Sequence, residues 1–553
     1  MSKFNKPGAR PVAGRSPITS TTPVPVILGH QGGQSYERDS RSELFVFAVS
    51  NLGGEKTYHE GASARDERYA NLVHAVAPNY PVWMAGFIPW LRNSANMRTA
   101  PLVGALESAR SMLTLGIAGS RQLIASSMSR PDEPGEAVAY WMKHYGRRLP
   151  MPVKRGIADA ARRLYTEAAL LKYDTSGKPF RFADVIELCH VRPDALWRSD
   201  LYKYALDRRH NRSNIIIPAT LPTIQHRADL KGTAVEEMSQ ADIKLAGMTW
   251  ENTISAAVDK KAAWENTIPT MGYMALLRNL RNFDEAGISA ATVRQVIDRL
   301  TDPEEVKRSR QFPFRFLSAY TQLNSLTWGH ALETALNLSL QNLPALRGRT
   351  LILVDRSDSM FYGLSEYSSV RWAAVAAMFG TALYLRNQPN ATLVQYGSRS
   401  VEMIFPKSMS ILRAERRFSN LGGTRTATAI RERFTGHDRI IVITDEQVHS
   451  GEDPSKAAPA SVPMYTFNLA GYRPSQVPDS ANRVTIGGGL TDKSFQMIAL
   501  LEAGRDGVWP WEEERAQVRT AGKEDGTGST VGSRDRGVHT CSFECRERGH
   551  AAR

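Results

Sequence analysis

The sequence predicts a multidomain chain, an all-α region of helical repeats followed by an α/β domain with a doubly wound parallel sheet. Three observations carry that expectation. Between residues 41 and 346 apolar side chains recur three and four positions apart, with Pro and Gly between segments. After residue 347 the pattern changes to short apolar runs, "TLILVD", "ATLVQYG", "RIIVITDE" and "VPMYTFNLA", separated by helical stretches. Strands that alternate with helices build a parallel sheet covered on both faces. Finally, 553 residues exceed what a single core holds.

Taken in order, residues 1–40 are rich in Pro, Gly, Ser and Arg without a long apolar core, and read as a disordered basic arm rather than a signal peptide. Residues 41–346 suggest stacked helix pairs, a solenoid or ring. The one obvious duplication there is "WENTI" at 250–254 and 264–268. A fourteen-residue offset returns to one face of a continuous helix, so chance and shared packing explain it. Residues 347–512 form the α/β domain, and 513–553, polar and rich in Gly and Ser, read as a disordered tail. The uncharged run at 372–385 is fourteen residues long, which suits a buried core helix and is too short for a membrane span.

Composition narrows the function classes. Hydrophobic content of 42% and charged content of 23% describe an ordinary soluble protein. A net charge of +14 favours polyanionic partners, nucleic acid ahead of an anionic membrane. Three cysteines cannot make a disulfide framework, which fits a reducing, cytoplasmic setting.

The run "LILVDRSDSM" stops a buried-looking strand on Asp355, followed by Ser357 and Ser359. "RIIVITD" delivers Asp445 to the same sheet edge, and the Gly-rich "SNLGGTRTATAI" places Thr424 just before a helix, with Thr426 as its rival. In an open parallel sheet ligands gather at the carboxyl ends of the strands. Two carboxylates and three hydroxyls suit a hard divalent cation, Mg²⁺ first.

This D-x-S-x-S, then T, then D order resembles the metal-ion-dependent adhesion site of von Willebrand factor A domains, and the likeness covers the whole domain. It implies that Ser357, Ser359 and Thr424 ligate directly, with Asp355 and Asp445 acting wholly or partly through water. It also implies a remaining coordination position open to an acidic group of a partner. One departure stands out: Asp358 occupies the position between the serines where Gly is common.

Residues 141–212 hold sixteen Lys/Arg against eight Asp/Glu, with guanidinium pairs beside aromatic rings in "YGRRLPMPVKRG", "ARRLY" and "LDRRHNR". Phosphate needs cations and unpaired bases stack on aromatic or guanidinium planes, so this is RNA-binding chemistry. "VWMAGFIPWLRNSANMRTAPLV", "LLKYD", "RFADVIELCHVRP", "WENTIPTMGYMALLRNLRNFDEAG" and "QFPFRFLSAYTQLN" resemble, in order and spacing over 40–346, the TROVE domain of the Ro ribonucleoproteins.

That resemblance implies an all-α ring of HEAT-like helical repeats closed by the A domain. It implies a noncatalytic scaffold with a monomeric protein core. Such a scaffold binds Y-like small RNA on its outer basic surface and single-stranded ends of misfolded noncoding RNA in the central hole. It also implies a partnership with an exoribonuclease such as polynucleotide phosphorylase. Carried over by motif, Lys172 and His190 fall on the outer RNA surface, with Lys178 and Arg181 as candidates for the contact between them. Arg92, Arg98, Arg278 and Arg281 are candidates near the hole, each with a structural reading beside it.

Other chemistry is missing. The sequence has no P-loop, no HExxH and no nucleophile elbow, and "GGGLTDKS" at 487–494 lacks the phosphate-binding fingerprint. His539, Cys541, Cys545 and His550 are residue types that hold zinc, but at a spacing of no familiar module. No enzyme is expected. The alternative to an RNA scaffold is a Mg²⁺-dependent protein-binding adaptor acting through the A domain.

Overall fold

A computed structural model describes residues 40–50, 62–323, 325–340, 343–364 and 368–471. Short pieces at 26–28, 34–36, 476–477 and 483–487 and single positions up to 512 complete it. The zinc-type cluster at 539–550 and most of "GGGLTDKS" lie outside the described residues.

Among the described residues, the elements from Ser40 to Ser339 are all helical. The Pro81–Asn93 helix starts on a proline, which loses nothing at a first turn, and buries Trp83, Met84, Phe87, Ile88 and Leu91 along one stripe. In Tyr273–Ala286 the buried set is Tyr273, Leu276, Leu277, Leu280 and Phe283, and Gly287 ends the helix at φ +64. Each such side chain contributes roughly 1.5–3 kcal/mol by leaving water. Packing of these stripes, rather than helix propensity, holds the region together.

The repeated "WENTI" differs from the expectation of one continuous helix. It lies on two helices, Trp250–Ala256 and Lys260–Thr267. Asp259 breaks the run because its carboxylate accepts from the backbone of Lys261 and Ala262 and starts a new N-terminus. The two copies then face each other. Trp250 stacks on Trp264 with centroids 5.8 Å apart, and Thr267 Oγ1 bonds Thr253 Oγ1 at 3.0 Å. The duplication is thus a self-complementary contact.

In the basic arm, Val26–Leu28 (β1) and Gln34–Tyr36 (β2) pair antiparallel.

The α/β domain has strands β3 (Thr350–Asp355), β4 (Ala391–Tyr396), β5 (Ser400–Met403), β6 (Arg439–Thr444), β7 (Met464–Asn468) and β8 (Arg483–Gly487). Their order is β5-β4-β3-β6-β7-β8, all parallel except the edge pair β4–β5. Every residue of β3 and β6 is buried, as a strand covered on both faces requires. The apolar helix Trp372–Asn387 lies over β3. A Cβ on its Gly380 would sit 2.3 Å from Val354, so that glycine sets how closely helix and sheet approach. The run at 372–385 is therefore core, and among the described residues no helix is long and apolar enough to cross a membrane.

The helical run begins and ends on the α/β domain. At its C-terminal end, Leu343 and Leu346 join the domain's core, and Leu346 N donates to Asn387 Oδ1. At its N-terminal end, the Ser40–Ser50 helix packs on β8. From the Ala62–Val76 helix, Arg65 donates to Ala470 O at 3.1 Å and Arg68 to Gly471 O at 2.9 Å, just beyond β7. These contacts span more than 400 residues of sequence and close the helical ring. Trp509 and Trp511, stacked at 5.4 Å, belong to a second compact unit that starts at Trp509.

Candidate metal centre and nucleic-acid interface

Strands β3 and β6 are neighbours in register, Val354 opposite Ile443, so Asp355 and Asp445 emerge side by side at the sheet's carboxyl edge. Backbone geometry then brings in the hydroxyls. Ser357 N donates to Asp355 Oδ1 at 2.9 Å, and a single 3₁₀ turn over Asp358–Phe361 brings Ser359 Oγ to 3.3 Å from Ser357 Oγ. The loop bearing Thr424 is tied to this turn, with Asp358 N donating to Gly422 O and Leu421 N to Arg356 O, both at 2.9 Å. Gly422 takes φ +75 there, a conformation that L side chains rarely adopt.

All five candidate residues are buried. Their hydrogen bonding is incomplete in a specific way. Tyr396 and Thr444 hydroxyls donate to Asp355 Oδ2. Thr424 Oγ1 and Asp445 Oδ2 have no partner. Burial raises the pKa of both carboxyls, and the neighbouring Asp355 charge raises Asp445 further. Two buried acids and an orphaned hydroxyl on one edge fit a divalent cation, which would satisfy both oxygens and remove the like-charge repulsion.

Among the described residues no group of three or more His, Cys, Asp and Glu assembles, so hydroxyl oxygens have to complete the set. Thr426, the rival of Thr424, bonds Tyr396 OH at 3.3 Å and is already satisfied. Asp358 points away from the cluster: it is exposed and accepts from Asn420 Nδ2 at 2.9 Å. A side chain there is tolerated because the loop has room outside.

Sequence reasoning missed Arg356, between the site aspartate and the first serine. It is buried, donates to Ser419 O at 3.0 Å and Ala373 O at 2.8 Å, and lies 4.7 Å over the Phe361 ring. Burial lowers its pKa to about 10. It ties the two site loops to the Trp372–Asn387 helix.

The candidate RNA residues divide sharply. Lys172 ends the Glu167–Tyr173 helix, is exposed, and sits 5.3 Å over the Tyr173 ring with no carboxylate partner. Arg130, which sequence reasoning also missed, covers the same ring at 5.6 Å. His190 is exposed and caps the Phe182–Cys189 helix in the left-handed conformation, φ +54. Capping there pins the backbone and leaves the imidazole facing water.

Two candidates are corrected. Arg181 is committed to Asp174, whose other oxygen accepts from Phe182 N at 2.9 Å, a closed and nearly buried pair. Arg92 donates to Glu133 at 2.7 Å and Met97 O at 3.1 Å, with only 9% of its side chain exposed. Each guanidinium is consumed by a buried acid that would otherwise be unsatisfied, so neither is available to phosphate. Arg98 and Lys178 are half-exposed and share Asp132 and Glu136. Arg278 is exposed without a carboxylate partner, whereas Arg281 makes only an exposed pair with Glu285 at 3.3 Å.

Comparison with known proteins adds to this geometry. The TROVE domain profile matches residues 217–328, a narrower span than the 40–346 of the motif blocks. RNA-binding protein RO60 of Caenorhabditis elegans is 30% identical over 244 residues, covering 40% of this chain and 38% of the relative. RNA-binding protein RO60 of Deinococcus radiodurans is 26% identical over 300 residues, 49% of this chain and 54% of the relative. Telomerase protein component 1 of Mus musculus is 38% identical over 112 residues, 20% of this chain and 4% of the relative. The chain thus spans about half or less of the curated relatives it matches. The crystal structure of the Deinococcus radiodurans RO (RSR) protein superposes with TM-score 0.59 at 19% identity, covering 84% of this chain and all of that one. At that identity the likeness speaks for the fold.

Proposed function

We propose that this chain, a TROVE-domain protein of Ro-like fold, is a noncatalytic RNA-binding scaffold. It takes Y-like small RNA on the surface around Lys172 and His190, and single-stranded ends of misfolded noncoding RNA in the ring. The observation that carries this is the contrast among cations. In a chain of net charge +14, Lys172, Arg147, Arg148 and Arg192 are exposed and lack carboxylate partners, whereas Arg162, Lys178, Arg181, Arg198, Arg209 and Arg212 are paired. Such charges attract a polyanion, and the adjoining Tyr173 offers a stacking face. The two RO60 relatives, named as RNA-binding proteins, support the same reading. An exoribonuclease such as polynucleotide phosphorylase, working in the cytoplasm, would supply the chemistry in this reading.

In this reading Mg²⁺ is held by Ser357, Ser359 and Thr424 with Asp355 and Asp445. The cation supplies charge neutralisation and coordination, and the chain's own residues fix the two loops around it. A second reading, a protein-binding adaptor, draws on the orphaned oxygens of Thr424 and Asp445. The five residues are closed to solvent, however, so a partner's carboxylate reaches a bound cation only after a loop moves.

Retention of labelled structured RNA across a salt series, with and without chelator, tests the scaffold. Binding that falls steeply with salt and ignores chelator is expected. No RNA affinity at low salt, or binding that disappears with chelator, rejects it in favour of the adaptor.

A further inference from the structure

Between the Tyr273–Ala286 and Pro313–Thr321 helices lies a groove of about 460 Å³, the size of a small-molecule site. Three guanidiniums, Arg278, Arg281 and Arg315, converge on it, and none of its lining residues is acidic. What sets the groove apart is the convergence of three guanidiniums on one cavity. Elsewhere Arg92, Arg98, Arg181, Arg209 and Arg299 each answer a carboxylate. Here only Arg281 has one, Glu285, in a pair whose side chains are both more than half exposed and therefore weak. Arg315 is exposed and lies 5.2 Å over the Phe314 ring.

The groove has a second character. Leu277 and Leu323 form an apolar wall, while Ser318 and Gln322 offer hydrogen-bonding groups. Convergent guanidiniums without a counterion suit a phosphomonoester, which accepts forked, charge-assisted hydrogen bonds and carries more charge than an internal phosphodiester. A base and sugar would cover the apolar wall and meet the hydroxyl and amide.

We infer that this groove is a pocket for a phosphorylated RNA terminus, reading the end group of a single strand rather than its sequence. The inference rests on the RNA-binding reading above and adds a specific terminal chemistry to it. It makes the protein sensitive to how an RNA end was generated, since cleavage reactions leave either a phosphate or a hydroxyl.

The experiment compares short single-stranded oligonucleotides carrying a 5′-phosphate, a 3′-phosphate or hydroxyls at both ends, together with a free nucleoside monophosphate. Full-length parent, Arg278→Gln, Arg315→Gln and, as control, Arg294→Gln, an exposed arginine outside the groove, are titrated. One phosphorylated end is expected to bind at least about tenfold tighter than the hydroxyl form in the parent and in Arg294→Gln. That gain is expected to vanish in both arginine variants. Arg278 and Arg315 are both exposed, so each variant keeps the fold. Equal affinity for all ends in the parent, or a phosphate gain that persists in Arg278→Gln, overturns the inference. Nucleoside monophosphate binding that is lost in Arg278→Gln, without any oligonucleotide binding, keeps the pocket and rejects the RNA reading. No phosphate-dependent binding of either probe rejects the pocket.

Discussion

Glu133 and Asp445 are both fully buried carboxylates, yet they are opposite kinds of residue. Glu133, in the helical ring, accepts from Arg92 at 2.7 Å, Ser129 N at 2.6 Å and Arg130 N at 2.8 Å. Asp445, at the sheet edge, leaves Oδ2 without a donor. The first is spent on holding three segments together. The second keeps one buried oxygen without a donor, as the proposed cation site requires.

Four measurements would break or sharpen that contrast. Glu133→Ala strands Arg92 in a buried position and is expected to cost about 3–5 kcal/mol in urea unfolding. A loss under about 1 kcal/mol would show that the ring's buried acids are not braces. For Asp445→Asn the expectation is reversed. The parent gains about 2.7 kcal/mol of stability at Mg²⁺ a hundredfold above its dissociation constant, and the variant gains none. If Mg²⁺ shifts the thermal midpoint of both equally, the cation is bound elsewhere.

A third measurement concerns a buried base. His437 is 1% exposed, accepts from Thr435 N through Nδ1 and bonds Thr392 Oγ1 through Nε2, an arrangement that fits the neutral ring. Burial, then the nearby Arg349, pushes its pKa down to about 4. Because the folded value is depressed, its contribution is fully present above about pH 6.5 and is lost as pH falls through about 4. That slope is worth on the order of 3 kcal/mol. His437→Gln should flatten it; an unchanged pH profile would mean that the ring titrates freely.

The smallest expected effect separates free cations from committed ones. Lys172→Gln should weaken structured-RNA binding about tenfold, or roughly 1.4 kcal/mol, with an unchanged melting temperature. Arg181→Gln should lower the melting temperature through loss of the Asp174 pair. Parallel behaviour of the two variants in both assays would erase the distinction drawn between exposed and braced residues.

Much of this was legible beforehand because its signals are local. Apolar spacing marked the helices and the switch to strands, and the abrupt aspartates after "TLILV" and "RIIVIT" marked the sheet edge. The roles of Arg92 and Arg181 were not legible, because pairing with Glu133 or Asp174 depends on how helices dock, and nothing in a basic residue's own neighbourhood declares its partner. The same holds for Arg356, Arg130 and the arginine groove.

By itself, then, the sequence determined which segments are helices and strands and which oxygens reach the sheet edge, since periodicity and strand ends are properties of neighbouring residues. Tertiary structure alone decided which of the many cations remain free. It also turned "WENTI" into a contact between two helices and joined Arg65 and Arg68 to the carbonyls after β7. Charge pairing and ring closure join residues far apart in the chain, and only packing fixes their distances.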